Sequence, residues 1–88
     1  MTSPSVVVYT GSNCAYCTRA KHFLAAKGVA YREINVEEST GARAEMQRLS
    51  RGSRTVPQIF VGEHHVGGFD DMIALDRKGE LDSLLKRG

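Results

Sequence analysis

The chain has 88 residues, room for one modest core, so we expect a single domain over residues 1–88. Its hydrophobic fraction of 41% and charged fraction of 25% are ordinary for a globular protein and argue against disorder and a fibrous architecture. The net charge is only +2 and the basic residues are scattered, which predicts no nucleic-acid partner.

The apolar runs and the start of the chain bear on its location. The runs are strand-sized and too short to cross a bilayer, so no membrane partner is expected. The first five residues lack a basic region followed by a long apolar stretch, so no secretory signal is apparent. We therefore expect a cytoplasmic protein in which residues 1–4 form a flexible tail.

The first predicted elements are a strand and a helix. Residues 5–10, with Val6, Val7, Val8 and Tyr9 in succession, are rich in β-branched and aromatic side chains and indicate a buried strand. The turn that follows offers Ser12 or Asn13 as the cap of a helix over about 15–27. Gly28 is expected to end that helix.

A second strand and a second helix come next. Apolar residues alternate with charged ones over 29–36, which predicts a strand. Ser39 or Thr40 then begins a helix that reaches about Leu49. Met46 and Leu49 are expected on its inner face.

The second half of the chain predicts a hairpin and then helical segments. Strands over 58–61 and 64–66 are joined by a tight turn at Gly62 and Glu63. Gly67 and Gly68 turn the chain into helical segments. The apolar residues of those segments are Met72, Ile73, Leu75, Leu81, Leu84 and Leu85.

The order of the predicted elements is β-α-β-α-β-β-α. Two strands joined through a helix are expected to be parallel, with a right-handed crossover, whereas the hairpin is antiparallel. One mixed four-stranded sheet with helices on both faces buries these elements compactly. The predicted fold class is α/β.

The two cysteines, Cys14 and Cys17, stand where the first strand turns into the first helix. A helix N-terminus favours the thiolate, the reactive form, at Cys14. Cys17 lies one turn further along the same face, within reach of a disulfide. This pattern predicts an exposed attacking thiol and a sheltered resolving thiol. The alternatives are two buried structural cysteines, or a zinc site completed by His64 and His65, whose adjacent positions on a strand point to opposite faces.

Two further segments each permit a structural and a functional interpretation. Pro57 begins a strand; base rates favour a trans proline, but a proline turn opposite the cysteines would present the backbone of Val56 to an extended substrate. The run from Gly67 to Asp71 has a structural interpretation as a turn followed by a capped helix. In the functional interpretation, its backbone N–H groups bind a carboxylate of a ligand, and an adjacent side-chain carboxylate binds an ammonium of the same ligand.

Together these segments resemble the glutaredoxin family over essentially the whole chain. The dithiol motif is Cys14-Ala15-Tyr16-Cys17, the proline segment is Thr55-Val56-Pro57-Gln58-Ile59-Phe60, and the third is Gly67-Gly68-Phe69-Asp70-Asp71. The resemblance implies a thioredoxin fold, a cis peptide before Pro57 and a groove for glutathione. The glutathione contacts that it implies are Tyr16, Thr55, Val56, Pro57, Phe69, Asp70 and Asp71, and the charge of Arg54 makes it an eighth expected contact.

The resemblance also assigns parts of glutathione to parts of the groove. The cysteinyl part would pair with the backbone of Val56, and Tyr16 would line the cysteine end. The γ-glutamyl end would be held by the backbone amides of Phe69 and Asp70 and by the carboxylate of Asp71. The catalytic residues would be Cys14 and Cys17.

The function implied by the resemblance is glutathione-dependent reduction of glutathione mixed disulfides and protein disulfides, with glutathione as co-substrate. Partners would be glutathionylated or disulfide-containing proteins, with ribonucleotide reductase as one candidate, and the protein would be a monomer. One alternative is a [2Fe-2S] cluster held by Cys14 and glutathione between two subunits. Another is a related redoxin that thioredoxin reductase reduces.

Two residues depart from the family pattern. Gly11 stands where many members carry a lysine, which removes a cation near Cys14; Arg54, or else Arg51 or Arg43, could supply that charge. Ala15 replaces the usual proline and relaxes the turn. We expect this to move the redox potential by tens of millivolts from the glutaredoxin range of about −200 to −230 mV.

Overall fold

The computed structural model describes residues 5–86, so the predicted tail over residues 1–4 lies outside the described residues. Four strands and four helices occur within residues 5–86. In chain order they are β1 (Val6–Thr10), α1 (Ala15–Ala26), β2 (Arg32–Asn35), α2 (Ala42–Leu49), β3 (Gln58–Val61), β4 (His64–Gly67), α3 (Phe69–Arg77) and α4 (Glu80–Leu85).

The sheet is mixed, in the strand order β2-β1-β3-β4. β1 pairs in parallel with β2, to which α1 connects it, and antiparallel with β3. β3 and β4 form the antiparallel hairpin. The predicted sheet is confirmed, and β1 lies inside it with neighbours on both sides. A central strand covered on both faces favours apolar residues at successive positions, which explains the apolar run from Val6 to Tyr9.

The core consists of two clusters, one on each face of the sheet. Val8 and Ile59 face α1, α3 and α4, which contribute Leu24, Met72 and Leu81. Tyr9, Val36 and Phe60 face α2 on the other side, against Ala42 and Met46. Successive β1 residues point to opposite faces, so Val8 and Tyr9 belong to different clusters. The predicted helices on both faces are confirmed.

Three expectations about individual elements are wrong. The second strand covers Arg32–Asn35 rather than 29–36, because only that stretch pairs with β1. The second helix begins at Ala42, later than predicted. Leu49 is 44% exposed instead of inward, because the buried face of α2 follows the four-residue spacing of Ala42, Met46 and Ser50. None of the helices within residues 5–86 has the length and apolar character needed to cross a membrane.

Candidate active site

The two cysteines lie at the start of α1 and are joined by a disulfide, with their Cα atoms 5.2 Å apart. Cys14 is half-buried, whereas Cys17, in the first turn of α1, is 2% exposed. Cys14 is itself the helix cap, and its Sγ accepts the backbone N–H of Cys17 at 3.1 Å. The prediction that Ser12 or Asn13 caps α1 is therefore wrong. The sulfur takes the place of a capping oxygen, which directs an unpaired helix N–H at the atom that carries negative charge in a thiolate.

The segment before β3 lies directly opposite Cys14. The Val56–Pro57 peptide bond is cis, which contradicts the base-rate expectation of a trans proline and confirms the one drawn from the resemblance. The carbonyl oxygen of Val56 lies 3.7 Å from Cys14 Sγ. An extended chain that paired with Val56 would therefore pass beside the reactive sulfur.

A part-buried hydrogen-bond chain holds this proline loop. Gln58 is 4% exposed, and its Nε2 donates to the carbonyl oxygen of Thr55 at 3.0 Å and to Thr55 Oγ1 at 3.3 Å. Its Oε1 accepts from Nε2 of His65 on β4 at 2.6 Å. Burial lowers the pKa of His65, although the negative charge of Asp71 acts in the opposite direction. The lowered pKa favours the neutral imidazole in the folded protein. The loop is thus fixed by the two strands of the hairpin.

A groove of about 230 Å³ runs from the cysteine end of α1 to the start of α3. The ring of Tyr16 lines the groove and is 51% exposed. Its centroid lies 6.1 Å from the ring centroid of Phe69. The guanidinium of Arg19 lies 5.3 Å from the Tyr16 ring centroid. The residues lining the groove are Tyr16, Thr55, Val56, Pro57, Gly68, Phe69, Asp70 and Asp71.

The start of α3 forms the far end of the groove. Gly68 is its N-cap residue, and Asp71 Oδ2 accepts the Gly68 N–H at 2.9 Å. Gly67 has φ 111°, and a Cβ there would lie 2.5 Å from Asp71 Oδ2, so this turn needs glycine. The N–H groups of Phe69 and Asp70 belong to the first helical turn, where no intrahelical acceptor exists. This end of the groove suits a carboxylate.

Behind the cysteines lies a polar recess lined in part by Cys17, Lys21 and Glu33. A hydrogen bond from Thr10 Oγ1 at 2.8 Å is the main cause of the lowered pKa of Glu33, and Lys21 contributes further. Lys21 Nζ lies 3.1 Å from Glu33 Oε2. The lysine that lines this recess is therefore already paired with a carboxylate.

Comparison with known proteins identifies the family to which the chain belongs. The family model described as Glutaredoxin matches residues 6–66, which include both cysteines, the proline loop and all of the hairpin but its last residue. The chain belongs to the glutaredoxin family. A glutaredoxin of Pseudomonas aeruginosa is 54% identical over 82 residues, 93% of this chain and 96% of that protein. Glutaredoxin 3 of Escherichia coli K12 is 48% identical over 82 residues, 93% of this chain and 98% of that protein.

Solved glutaredoxins share the fold. The solution structure of the Brucella melitensis glutaredoxin has a TM-score of 0.83 and 49% identity, covering 98% of this chain and 92% of that one. The crystal structure of a buckwheat glutaredoxin–glutathione complex has a TM-score of 0.82 and 33% identity, covering 94% of this chain and 76% of that one. The expected thioredoxin fold is confirmed. Family and cysteine pair together make this protein a thiol–disulfide oxidoreductase.

The groove of this glutaredoxin brings together most of the residues expected to contact glutathione. Seven of the eight line it, and Arg54 is the exception: it is exposed and is not among the lining residues. For Asp71, one carboxylate oxygen is already bound by the Gly68 N–H, so its other oxygen is the one available to a ligand.

Sequence reasoning missed three residues beside the site. Gln58 and His65 hold the proline loop, and a glutamine that opens an otherwise apolar strand was the available signal. Glu37 was missed because it follows β2, far along the chain from the cysteine turn. Its Oε2 accepts the backbone N–H of Ser12 at 2.6 Å. No local pattern indicates that contact.

Proposed function

We propose that this glutaredoxin uses glutathione to reduce glutathione mixed disulfides and protein disulfides through Cys14 and Cys17. The observation that carries the proposal is the groove, which leads from beside Cys14 to the start of α3. A glutaredoxin of the same fold has been solved as a glutathione complex. Glutathione is an extended tripeptide with a carboxylate and an ammonium at one end, and the groove offers matching groups.

The groove suggests an orientation for the tripeptide. Its cysteinyl part pairs with the backbone of Val56, whose carbonyl oxygen lies 3.7 Å from Cys14 Sγ. Its γ-glutamyl carboxylate accepts from the N–H groups of Phe69 and Asp70 at the start of α3. Its ammonium approaches the carboxylate of Asp71. Both charges of the γ-glutamyl end are then matched without a lysine or arginine among the residues that line the groove.

The monothiol reaction uses Cys14 alone. The Cys14 thiolate attacks the glutathione sulfur of a mixed disulfide; a Cys14–glutathione disulfide forms, and the client thiolate leaves and takes a proton. A second glutathione thiolate attacks the glutathione sulfur of that adduct. This step releases the Cys14 thiolate and forms oxidised glutathione. The N–H of Cys17 stabilises the Cys14 thiolate as the leaving group.

The dithiol reaction adds Cys17. Cys14 attacks a protein disulfide and forms a mixed disulfide with the client. The Cys17 thiolate then attacks Cys14 Sγ, which releases the client as a dithiol and leaves the Cys14–Cys17 disulfide seen here. Two glutathione molecules reduce that disulfide and become oxidised glutathione. It stays a prediction that ribonucleotide reductase is among the clients. It also stays a prediction that this protein is monomeric and cytoplasmic.

The test is turnover of a glutathionylated peptide, with glutathione and glutathione reductase supplying electrons. We expect Cys14→Ser to abolish turnover and Cys17→Ser to preserve it. With a protein disulfide as substrate, we expect both variants to be inactive. Ala15→Ser, on the same exposed turn, is the control and stays active. Turnover that survives in Cys14→Ser would contradict the assignment, and an intact protein active only with thioredoxin reductase would support the related-redoxin alternative.

The cluster alternative fits the residues of a single chain poorly. A [2Fe-2S] cluster takes four ligands, typically thiolates, and this chain has two cysteines. Residues 5–86 contain no group of three His, Cys, Asp or Glu side chains placed to hold a metal. A cluster would need Cys14 from two chains and two glutathione thiols. Iron bound after anaerobic reconstitution only when glutathione is present, with a change to dimer mass, would support that alternative.

A further inference from the structure

Glu37 places a carboxylate against the turn that precedes the reactive cysteine. Its Oε2 accepts the backbone N–H of Ser12 at 2.6 Å. An ideal Cβ on Gly11 would lie 2.9 Å from that oxygen and 3.2 Å from Cγ2 of Val56. The backbone N–H of Glu37 donates to Asn35 Oδ1 at 2.9 Å, which fixes the segment. The carboxylate, the cysteine turn and the Val56 side chain therefore meet at one point.

This point adjoins the groove at Val56, which lines it, whereas Gly11 and Glu37 are not among the lining residues. In the proposed orientation the γ-glutamyl part lies at Phe69 and Asp70, and the cysteinyl part lies at Val56. An extended chain advances about 3.3–3.6 Å per residue. The residue after the cysteine therefore passes Val56 on the side of Gly11 and Glu37. In glutathione that residue is glycine, and it carries a free carboxylate.

The charge of Glu37 is not matched by a cation within the described residues. The salt bridges over 5–86 join Lys21 to Glu33, and Lys27 to Asp76 and Asp82, and none involves Glu37. Glu37 is exposed, so its charge acts through solvent and is sensitive to salt. Gly11 adds no side chain that could shield it.

We propose that Glu37 is a specificity-determining residue, which disfavours a free carboxylate on the residue after the substrate cysteine and favours an amide there. The preferred substrates are then cysteinyl peptides whose chain continues past the cysteine, and thiol tripeptides with an amidated C-terminus. The inference rests on the proposed function, because it uses the orientation of glutathione in the groove. It names the substrate class for which this groove is electrostatically suited.

The size of the effect follows from two like charges near the surface. A pair of unit charges 4 Å apart in water interacts strongly enough to change a rate about fivefold, and greater separation reduces this to about twofold. The effect is largest near 0.01 M salt, where the Debye length is about 30 Å, and is largely lost at 1 M, where it is about 3 Å. We therefore expect the amide to react about twofold to fivefold faster than the carboxylate at low salt, and we expect high salt to remove this preference.

The experiment mixes the reduced protein rapidly with a fluorescent peptide disulfide-linked either to glutathione or to glutathione amidated on its glycine. The measured quantity is the ratio of the two second-order rate constants for peptide release, amide over carboxylate. Glu37→Gln keeps an oxygen for the Ser12 N–H and removes the charge. We expect it to lower the ratio about twofold to fivefold at low salt, and Glu37→Lys to lower it further.

The ratio separates specificity from general effects on the cysteine. A change in the reactivity of Cys14 multiplies both rate constants equally and cancels. Glu38→Gln removes the same charge from the neighbouring exposed residue and is expected to keep the wild-type ratio. An identical ratio in the wild type, Glu37→Gln and Glu37→Lys would overturn the inference while leaving the proposed function intact. A protein that reacts with neither disulfide would instead refute the proposed function.

Discussion

Replacing Gln58 with leucine tests whether the hairpin holds the proline loop. The change keeps a similar side-chain size but leaves the carbonyl oxygen of Thr55 without its donor and Nε2 of His65 without its acceptor. A hydrogen bond contributes about 0.5–1.5 kcal/mol, and a fully buried group left unpaired costs about 1–3 kcal/mol, but Thr55 is exposed and His65 half-buried, so the smaller figures apply. We therefore expect Gln58→Leu to lower the free energy of unfolding by about 1–3 kcal/mol.

A second substitution separates the hydrogen bond from packing. His65 stacks on Phe60 with ring centroids 4.8 Å apart, so His65→Phe keeps an aromatic ring and removes the nitrogen. The double variant Gln58→Leu/His65→Phe leaves neither side chain with an unpaired polar atom. We expect it to be more stable than the sum of the single losses by about 1 kcal/mol or more.

The assay is urea unfolding of the four proteins, combined with the rate of deglutathionylation. The loop that presents Val56 depends on Gln58, so we expect the rate to fall with Gln58→Leu even where the protein is fully folded. Additive losses of stability, or a single variant with unchanged stability and rate, would refute the reasoning that this chain of hydrogen bonds fixes the loop.

Other predictions concern titration and packing. Burial and the hydrogen bond to Glu45 raise the pKa of Tyr9 to about 12 from 10.0, so one of the three tyrosines should ionise late in an absorbance titration, and Tyr9→Phe should remove that phase. The unfolded tyrosine loses its proton first, so stability should fall as the pH rises from 10 to 12, less so in the variant. Because burial lowers the pKa of His65, the unfolded chain binds more protons below pH 6.5; stability should therefore fall as the pH is lowered through that range, and His65→Phe should flatten the dependence. Met46→Ala should cost about 2–5 kcal/mol in urea unfolding, whereas Leu49→Ala, on the exposed side of the same helix, should cost less than about 1 kcal/mol; equal losses would contradict the observed rotation of α2.

The sequence patterns that predicted the structure correctly are those in which the structure depends on residues adjacent in the chain. The apolar run of β1 and the turn before Cys14 are local signals, and both are where they were expected. The limits of β2 depend on pairing with β1, so alternation alone extended it too far. The helix cap was missed because sulfur is not among the usual capping atoms, although Cys14 occupies the capping position.

The site itself combines local motifs with contacts that no local pattern contains. The residues of the groove come from three segments whose order resembles the family, so seven of the eight expected contacts line one groove. Arg54 was predicted from charge alone, and charge does not say which way an exposed arginine points. Glu37 meets Ser12 across 25 positions of sequence, and only the packing of the segment after β2 against the cysteine turn creates that contact.

The most direct test of the account is the identity of the group captured by Cys14. Reduced Cys17→Ser is mixed with a glutathionylated peptide and quenched with acid, and the adduct is identified by intact mass and peptide mapping. The orientation in the groove predicts that Cys14 carries glutathione and that the peptide is released as a thiol. Capture of the peptide on Cys14 with release of glutathione would contradict a groove that binds glutathione beside the reactive sulfur.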